Sequence, residues 1–302
     1  MQSVIGSHYL YFAKHNLACR LGGKCRPLLA GFKITHRCNL QCAACPFWRR
    51  PADDIPFDKA IEAMNVLHQA GVRLLIFEGG EPLIWRDGER RFGDMVTAAK
   101  ERFFSVGVTT NGTLPLDVST DIIWVSIDGL RDTHNRNRGP VFDRVMANVR
   151  ASSHPRLFAN ITINRLNVEE MPALVRFLAG VKQIKGITIQ FFYPYIESDD
   201  LAITPTQRER VLEQLIELKK QGYPLLDSLP VLEALKKNTW KCHDWLIADV
   251  EPDGTINYGC YLKNRSEVDC SKCGFAAHAE LSLAYEGDLR AINAGRLVFG
   301  FH

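Results

Sequence analysis

The sequence lacks long apolar runs and any large excess of charge. No stretch of about 18 consecutive apolar residues occurs, and the apolar segment nearest the N-terminus, 9–13, is bounded by His8 and Lys14. We therefore expect neither a transmembrane helix nor an ordinary signal peptide. With 37 Lys and Arg against 34 Asp and Glu, the net charge is +3. This balance excludes a nucleic-acid-binding protein that works through bulk electrostatics.

Acidic residues are missing from the first part of the chain. Residues 1–52 contain eight Lys and Arg and no Asp or Glu, so their net charge is +8. Because the whole chain carries +3, residues 53–302 have a net charge of −5. This asymmetry predicts an anionic ligand, partner or membrane surface. The basic N-terminal extension, 1–27, mixes apolar and basic residues in the manner of an interfacial helix, which makes peripheral membrane contact a hypothesis.

Nine cysteines occur without a secretory signal, a pattern that does not favour a disulfide framework. Metal binding is the better interpretation for seven of them. The first group comprises Cys38, Cys42 and Cys45, and the second group comprises Cys242, Cys260, Cys270 and Cys273. The remaining two, Cys19 and Cys25, are expected to be ordinary buried thiols in a reducing cytoplasm.

Short β-branched or aromatic runs alternate with segments of helical period, which is typical of repeated βα units. The pattern predicts strands over 28–34, 73–77, 104–108, 122–127, 157–163 and 186–192. It predicts helices over 57–70, 91–102, 141–152, 168–178 and 205–221. The connection 111–121 contains Pro115 and is too short for a full helix. An α/β region of six parallel strands over 28–238 is therefore expected, followed by a cysteine-rich region over 239–302.

The first cysteine group directly follows the first predicted strand, with three and then two residues between its members. Three thiolates on one compact loop can hold three irons of a cubane iron–sulfur cluster and leave the fourth iron without a protein ligand. An open iron is a place where a small molecule can be ligated and reduced. The alternatives are a zinc site completed by His36 and three unrelated core thiols.

Glycine and polar residues follow at the ends of the later predicted strands. They are Gly79, Gly80 and Glu81 after the second strand, Thr110 and Asn111 after the third, Ser126 on the fourth, Arg138 twelve residues later, and Gln190 on the sixth. Glycines allow a close approach of the backbone to a ligand, and loop carbonyls with Glu81 can accept hydrogen bonds from an ammonium group. The Arg138 guanidinium suits a carboxylate, with which it can pair bidentately.

In this order, the motifs resemble the radical S-adenosylmethionine (SAM) superfamily over about residues 28–192. The resemblance implies a partial (β/α)6 TIM barrel with a [4Fe-4S] cluster on the first cysteine group and SAM on its open iron. It also implies that the eight residues named above at the strand ends contact SAM, and it assigns no catalytic residue. One departure is Ala44, because the family usually has an aromatic residue just before the third cysteine. Phe47 or Trp48 would have to supply that surface.

The second cysteine group supplies four thiolates, and residues 252–254 have the composition of a hairpin turn. This region resembles a shortened SPASM or twitch extension, the part of some radical SAM enzymes that carries auxiliary clusters. The resemblance implies one auxiliary [4Fe-4S] cluster with complete thiolate ligation. A structural zinc ion with the same four ligands is the alternative.

The resemblance implies an enzyme that reductively cleaves SAM to a 5′-deoxyadenosyl radical, which abstracts hydrogen from a substrate. A peptide or protein substrate is expected, since relatives with C-terminal clusters modify peptides and the aromatic residues at 191–195 would line a groove. One alternative is an enzyme of lipid, isoprenoid or cofactor biosynthesis, with a lipid-like substrate; another is a non-catalytic zinc-binding scaffold. An electron donor such as flavodoxin or ferredoxin is an implied partner.

Overall fold

The computed structural model describes residues 2–194 and 199–301, and it contains the six predicted strands. They are β1 (Leu29–Thr35), β2 (Leu74–Gly79), β3 (Ser105–Thr110), β4 (Ile122–Ser126), β5 (Leu157–Ile163) and β6 (Ile184–Phe191). Each strand pairs in parallel with the next along the chain. The predicted partial barrel is therefore confirmed.

Ten α-helices occur in the described part of the chain. They are α1 (Gln2–Arg20), α2 (Phe57–Ala70), α3 (Phe92–Lys100), α4 (Arg131–Arg138), α5 (Phe142–Ala151), α6 (Met171–Ala179), α7 (Pro205–Lys220), α8 (Leu229–Lys237), α9 (Ala276–Glu286) and α10 (Leu289–Phe299). The sequence pattern did not predict α4, because its residues are polar and give no apolar period. A separate ribbon pairs Arg86–Asp87 with Arg90–Arg91.

Successive side chains along each strand point alternately to the helix-covered core and to the lumen of the partial barrel. On β1, Ala30, Phe32 and Ile34 are fully buried in the large core that the strands share with the surrounding helices. The intervening Lys33 faces the lumen of the partial barrel, next to its register partner Glu78 on β2. The wall of the lumen is therefore polar at this level.

The floor of the lumen is apolar. Ile122 and Trp124 of β4 and Phe158 of β5 form a buried cluster there, and Val298 and Phe299 from the end of α10 pack against it. These side chains occupy the end of the barrel opposite the carboxyl ends of the strands. The lumen is therefore blocked at one end and polar toward the other.

Two further strands extend the sheet beyond β1. Strand β7 (Ile247–Val250) pairs in parallel with β1, and β8 (Ile256–Tyr258) pairs antiparallel with β7. The order is β8-β7-β1-β2-β3-β4-β5-β6. The hairpin predicted at 252–254 is confirmed: the Glu251 amide donates to the Thr255 carbonyl at 3.0 Å, and Gly254 has φ +83°.

Helix α1 lies against the amino ends of the strands. The Tyr11 hydroxyl donates to the Gly71 carbonyl at 2.6 Å, and the Phe12 ring lies 6.0 Å from the Phe104 ring, just before β3. None of the helices in the described residues is long and apolar enough to span a membrane. Leu10 and Leu17 remain exposed on another face of α1.

Cys19 and Cys25 form a disulfide, with their Cα atoms 4.8 Å apart. The prediction of two free buried thiols is therefore wrong. The physical reason is the turn after α1, where Gly22 has φ +83° and the Gly23 amide donates to the Ala18 carbonyl at 2.8 Å. This turn reverses the chain and brings Cys25 back to the end of the helix.

Candidate functional site

The first cysteine group lies on a loop at the carboxyl end of β1. The Cys38 sulfur accepts hydrogen bonds from the Leu40 amide at 3.4 Å and from Asn111 Nδ2 at 3.8 Å. The Ala43 amide donates to the carbonyl of Asn137 in α4 at 2.8 Å. The loop is therefore fixed between the end of β3 on one side and α4 on the other.

Burial disfavours the thiolate form of two cysteines on this loop while no iron is bound. Burial raises the pKa of Cys38, and it raises that of Cys42 to about 11, although the nearby Arg138 charge opposes the rise at Cys42. The free thiols therefore hold their protons near neutral pH, and bound iron would displace them. Three cysteines on one loop match the donor set of a cubane with one open iron.

The zinc alternative at this loop finds less support. In the described residues, no three His, Cys, Asp or Glu side chains converge closely enough to hold a single metal ion. His36, the proposed fourth ligand, instead places its Nε2 atom 3.4 Å from Glu251 Oε2. The imidazole is thus directed toward β7 and its hairpin.

Gly79 and Gly80 bring the end of β2 onto the residues that lead into Cys38. The Gly80 amide donates to the Thr35 carbonyl at 2.7 Å, and the Glu81 amide donates to the Arg37 carbonyl at 2.8 Å. A Cβ atom on Gly79 would clash with the Thr35 oxygen, and one on Gly80 with the Arg37 oxygen. The two glycines are therefore needed to position the cysteine loop.

Glu81 is fully buried and receives three hydrogen bonds from the protein. Its carboxylate accepts from Thr110 Oγ1 at 2.7 Å, from the Asn111 amide at 2.7 Å and from the Leu83 amide at 3.2 Å. Burial raises its pKa, while these donors favour the ionised form. The structure thus brings Glu81, Thr110 and Asn111 together beside Cys38, where they bond to one another. Their contact with SAM stays a prediction.

Ser126 and Arg138 both lie near the carboxyl end of β4. Ser126 is buried at the end of the strand. Arg138 donates through Nε to Asp128 Oδ2 at 2.6 Å, and Asp128 Oδ1 accepts from the Thr162 amide at 2.8 Å. Among the described residues, the hydrogen bonds of Arg138 use Nε, which leaves both terminal nitrogens to pair with a carboxylate on a ligand.

Three side-chain amides near the carboxyl ends of β5 and β6 differ in their surroundings. Asn164 and Asn167 are fully buried and bond to the protein: Asn164 Nδ2 donates to Asn137 Oδ1 at 2.8 Å, and Asn167 Nδ2 donates to the Asp128 carbonyl at 2.8 Å. They shape the loops around Arg138. Gln190 lies in the lumen wall, where its Nε2 donates to Thr162 Oγ1 at 3.2 Å.

The two aromatic residues that could compensate for Ala44 take different positions. Trp48 Nε1 donates to the Cys42 carbonyl at 3.2 Å, so its indole lies on the cysteine loop. Phe47 is buried, with its ring 5.6 Å from Lys33 Nζ and 4.8 Å from the Arg50 guanidinium. Trp48 is therefore the better placed of the two to face a ligand.

A buried charged network in the lumen was not found from the sequence. Lys33 Nζ lies 2.7 Å from Glu78 Oε1 and 3.4 Å from Asp249 Oδ1, and Arg265 Nη2 lies 2.8 Å from Asp249 Oδ1. The available signal was a lysine inside the apolar strand β1. Alternation alone would have placed that lysine on the lumen side.

The end of the second cysteine group lies beside the end of β6. Burial and the nearby Cys273, among other acidic groups, raise the pKa of Cys242 to about 12. The Phe191 amide donates to the Gly274 carbonyl at 3.0 Å, and Arg208 Nη2 donates to the Cys273 carbonyl at 2.6 Å. Four cysteines are the ligand set of either four-cysteine metal group, although among the described residues no three of them converge closely enough to hold a single metal ion.

The aromatic residues that were expected to line a substrate groove are packed inside the protein instead. Phe191, Phe192 and Tyr193 are buried, and the Tyr193 hydroxyl donates to the Glu267 carbonyl at 2.7 Å and accepts from the Asp269 amide at 2.9 Å. These residues hold the cysteine-rich segment against the barrel. Tyr195, the last residue of the proposed groove, lies outside the described residues.

The fold and site together define an α/β partial barrel with a three-cysteine loop at the carboxyl ends of its strands. Residues 32–178 match the Radical SAM superfamily, and this part of the chain belongs to that superfamily. The resemblance stated from the motifs is thus confirmed for the barrel.

Two curated relatives and one solved structure extend this comparison. The chain is 25% identical over 242 residues to Fe-coproporphyrin III synthase of Methanosarcina barkeri, covering 72% of this chain and 56% of that protein. It is 22% identical over 251 residues to the antilisterial bacteriocin subtilosin biosynthesis protein AlbA of Bacillus subtilis, covering 76% and 54%. The chain therefore spans about half the length of these relatives.

The structural comparison shows a shared fold. The crystal structure of Streptococcus suis SuiB bound to precursor peptide SuiA superposes with a TM-score of 0.65 at 16% identity. The match covers 98% of this chain and 70% of SuiB. The likeness therefore extends beyond the barrel into the cysteine-rich region.

Proposed function

We propose that the protein is a radical SAM enzyme that abstracts hydrogen from a peptide or protein substrate. The observation that carries this proposal is the three-cysteine loop, fixed beside Asn111 and Arg138 with a donor set that leaves one iron open. When bound there, a [4Fe-4S] cluster supplies the electron that splits SAM into methionine and a 5′-deoxyadenosyl radical. Cys38, Cys42 and Cys45 would hold it.

The chain's own residues would bind and orient SAM. The terminal nitrogens of Arg138 suit the methionine carboxylate, because a guanidinium pairs bidentately with it. The carbonyls of Gly79 and Gly80 suit the ammonium group, while Glu81 holds the neighbouring strand ends in place. Ser126 and Gln190 add polar contacts toward the lumen. Such positioning is the part of the chemistry that the protein must supply.

We propose one auxiliary [4Fe-4S] cluster on the second cysteine group, with structural zinc as the alternative. The four thiols, of which Cys273, Cys260 and Cys270 act electrostatically on Cys242, support a four-cysteine group. Because four protein ligands leave no iron open to substrate, its function would be electron transfer.

A peptide substrate is favoured by the similarity to AlbA, a bacteriocin biosynthesis protein, and to SuiB, which was solved with its precursor peptide. A second candidate is an enzyme of cofactor biosynthesis, supported by the name of the relative from Methanosarcina barkeri. A lipid substrate has less support. Helix α1, which motivated it, contacts the amino ends of the strands, whereas the cysteine loop lies at their carboxyl ends.

The proposed chemistry needs one electron for each SAM that is cleaved, so we propose a flavodoxin or ferredoxin as donor. The exposed Leu10 and Leu17 of α1, next to Lys14, support a peripheral membrane contact. Sedimentation with anionic vesicles tests this contact. Leu10→Gln with Leu17→Gln should reduce the bound fraction.

Anaerobic cleavage of SAM tests the proposed function. Iron-reconstituted, dithionite-reduced protein should produce 5′-deoxyadenosine from SAM, measured by chromatography. Cys42→Ala should abolish the product, while Cys25→Ser, which changes a cysteine far from the loop, should retain it. A fully loaded wild-type protein that makes no 5′-deoxyadenosine would contradict the proposal.

A further inference from the structure

The charged network in the lumen wall has no part in the function proposed above. Its members come from separate elements: Lys33 from β1, Glu78 from β2, Asp249 from β7, and Arg265 from the segment after β8. Strand register brings them together, since Lys33 pairs with Glu78 and Gly31 pairs with Asp249. The network therefore lies on the wall that leads up to the cysteine loop.

Most members of the network are sealed from solvent. The side chains of Lys33 and Asp249 are each 1% exposed, and that of Arg265 is 2% exposed. The Tyr261 ring covers Lys33, with Nζ 4.3 Å from the ring centroid. These groups pair with one another, although Asp249 Oδ2 lacks a hydrogen-bond partner, and they have almost no exposed surface to offer a ligand.

Glu78 differs because its side chain is 25% exposed. Its Oε1 atom pairs with Lys33, and the rest of the carboxylate opens toward the lumen. Gly31 makes the space for this arrangement, since a Cβ atom there would lie 2.8 Å from Glu78 Oε1. One carboxylate of the network is thus accessible from inside the barrel.

The formal charges near Glu78 balance only when Arg50 is counted with Lys33 and Arg265. Lys33 and Arg265 face three carboxylates, those of Glu78, Asp249 and Glu251. Arg50 and His36 approach the network at Glu251, at 3.9 Å and 3.4 Å, and neither pairs with Glu78. In the part of the chain that the structure describes, the one cation paired with Glu78 is Lys33, which Asp249 shares. The cation at Glu78 is therefore shared with a second carboxylate, and among the described residues the ion pair of Glu78 uses Oε1 and leaves Oε2 unpaired.

We propose that Glu78 binds a cationic group of the substrate, namely the ammonium of a lysine or the guanidinium of an arginine in a peptide. A carboxylate pairs strongly with such groups through charge-assisted hydrogen bonds. Glu78 directly precedes Gly79 and Gly80, which are bonded to the residues leading into Cys38. A cation held there would fix the adjacent part of the peptide beside the radical site, and this inference rests on the proposed function.

Binding of labelled peptide pools tests the inference. The probes are fluorescein-labelled heptapeptides, randomised except at the centre, which holds either lysine or Nε-acetyl-lysine. Fluorescence anisotropy on anaerobic, cluster-loaded protein should show about tenfold tighter binding of the lysine pool to wild type. Glu78→Gln should bind both pools equally. Glu62→Gln, an exposed change on α2, should keep the wild-type preference.

A second variant guards against a folding defect in the first. Lys33→Met combined with Glu78→Gln removes both charges of the pair, so Asp249 keeps Arg265 and no buried cation is left without its partner. This double variant should also lose the preference. A wild-type protein without preference, or a preference that persists in both variants, would overturn the inference.

The same preparations separate this inference from the proposed function. If wild type makes 5′-deoxyadenosine from SAM but does not discriminate between the pools, the binding role of Glu78 alone is contradicted. If it discriminates but a fully loaded cluster makes no 5′-deoxyadenosine, the cation site stands and the radical function fails.

Discussion

Glu81 is the residue on which the geometry of the site depends most. It lies in a loop that links β2 to a short helical turn, and its buried carboxylate joins the ends of β2 and β3 through Thr110 and Asn111. Asn111 then reaches the Cys38 sulfur. One buried carboxyl group therefore connects three neighbouring segments beside the cysteine loop.

Glu81→Gln should destabilise the protein by about 1–3 kcal/mol, because the new amide group would face the Asn111 N–H with another donor. Thermal unfolding of anaerobic protein measures the effect, with exposed Glu62→Gln as the control. SAM cleavage should fall as well, since the cysteine loop loses its alignment. Unfolding and SAM cleavage unchanged from wild type would contradict this role.

Two other carboxyl groups, those of Glu280 and Asp227, should make the stability of the folded protein depend on pH. Burial raises the pKa of Glu280 on α9 to about 8, from an ordinary value of 4.5, and that of Asp227 to about 6. Because the pKa of Glu280 is higher in the folded state, its stabilising contribution is complete below about pH 4.5 and is lost as pH rises through about 8.

We therefore expect the melting temperature of wild type to fall between about pH 6 and about pH 8.5, and to fall less in Glu280→Gln. Scanning calorimetry across this range measures the two slopes. Glu62→Gln should follow wild type, since its side chain is exposed. Parallel slopes for wild type and Glu280→Gln would show that Glu280 is not protonated in the folded protein.

At the level of elements, the contact between the ends of β1 and β2 fixes the position of the cysteine loop. Gly80→Ala should push the Arg37 carbonyl away and disorder the loop, because the new methyl group has no space. We expect the loss of about four irons per chain, measured by metal analysis. Gly93→Ala in α3 is the matched control: a Cβ there meets nothing within 4 Å. Equal iron content in both variants would exclude the proposed role of Gly80.

The six strands could be predicted because each is a short β-branched run between turn residues. Strand β7 could not, because four residues give little periodicity and its pairing with β1 joins positions far apart in the chain. Helix α4 was not predicted because its buried face consists of Thr133, His134 and Asn137, so the sequence shows no apolar period there.

The cysteine loop could be predicted from spacing alone, but the surroundings of that loop could not. The sequence does not show that the Glu81 carboxylate accepts its hydrogen bonds from the protein. Thr110 and Asn111 come close to it only once β2 and β3 have paired. The disulfide between Cys19 and Cys25 was missed because the overall cysteine pattern favoured metal binding. The turn after α1, which brings the two cysteines together, determines this disulfide instead.

At the scale of the whole molecule, the barrel has two distinct ends. Helix α1 and the end of α10 cover the amino ends of the strands, and Trp124 closes the floor of the lumen. The cysteine loop, Arg138 and the accessible carboxylate of Glu78 lie toward the other end. A substrate would therefore enter from the carboxyl ends of the strands and meet Glu78 on the wall.

The central claim is that the first cysteine group holds the cluster at which SAM is cleaved. The most direct test is the iron, sulfide and zinc content of anaerobically purified protein, paired with 5′-deoxyadenosine formation, for wild type, Cys38→Ala and Cys270→Ala. We predict about eight irons in wild type and about four in each variant, with 5′-deoxyadenosine lost in Cys38→Ala. About four irons with one zinc would make the second group a structural zinc site. Unchanged iron content and SAM cleavage in Cys38→Ala would contradict the claim.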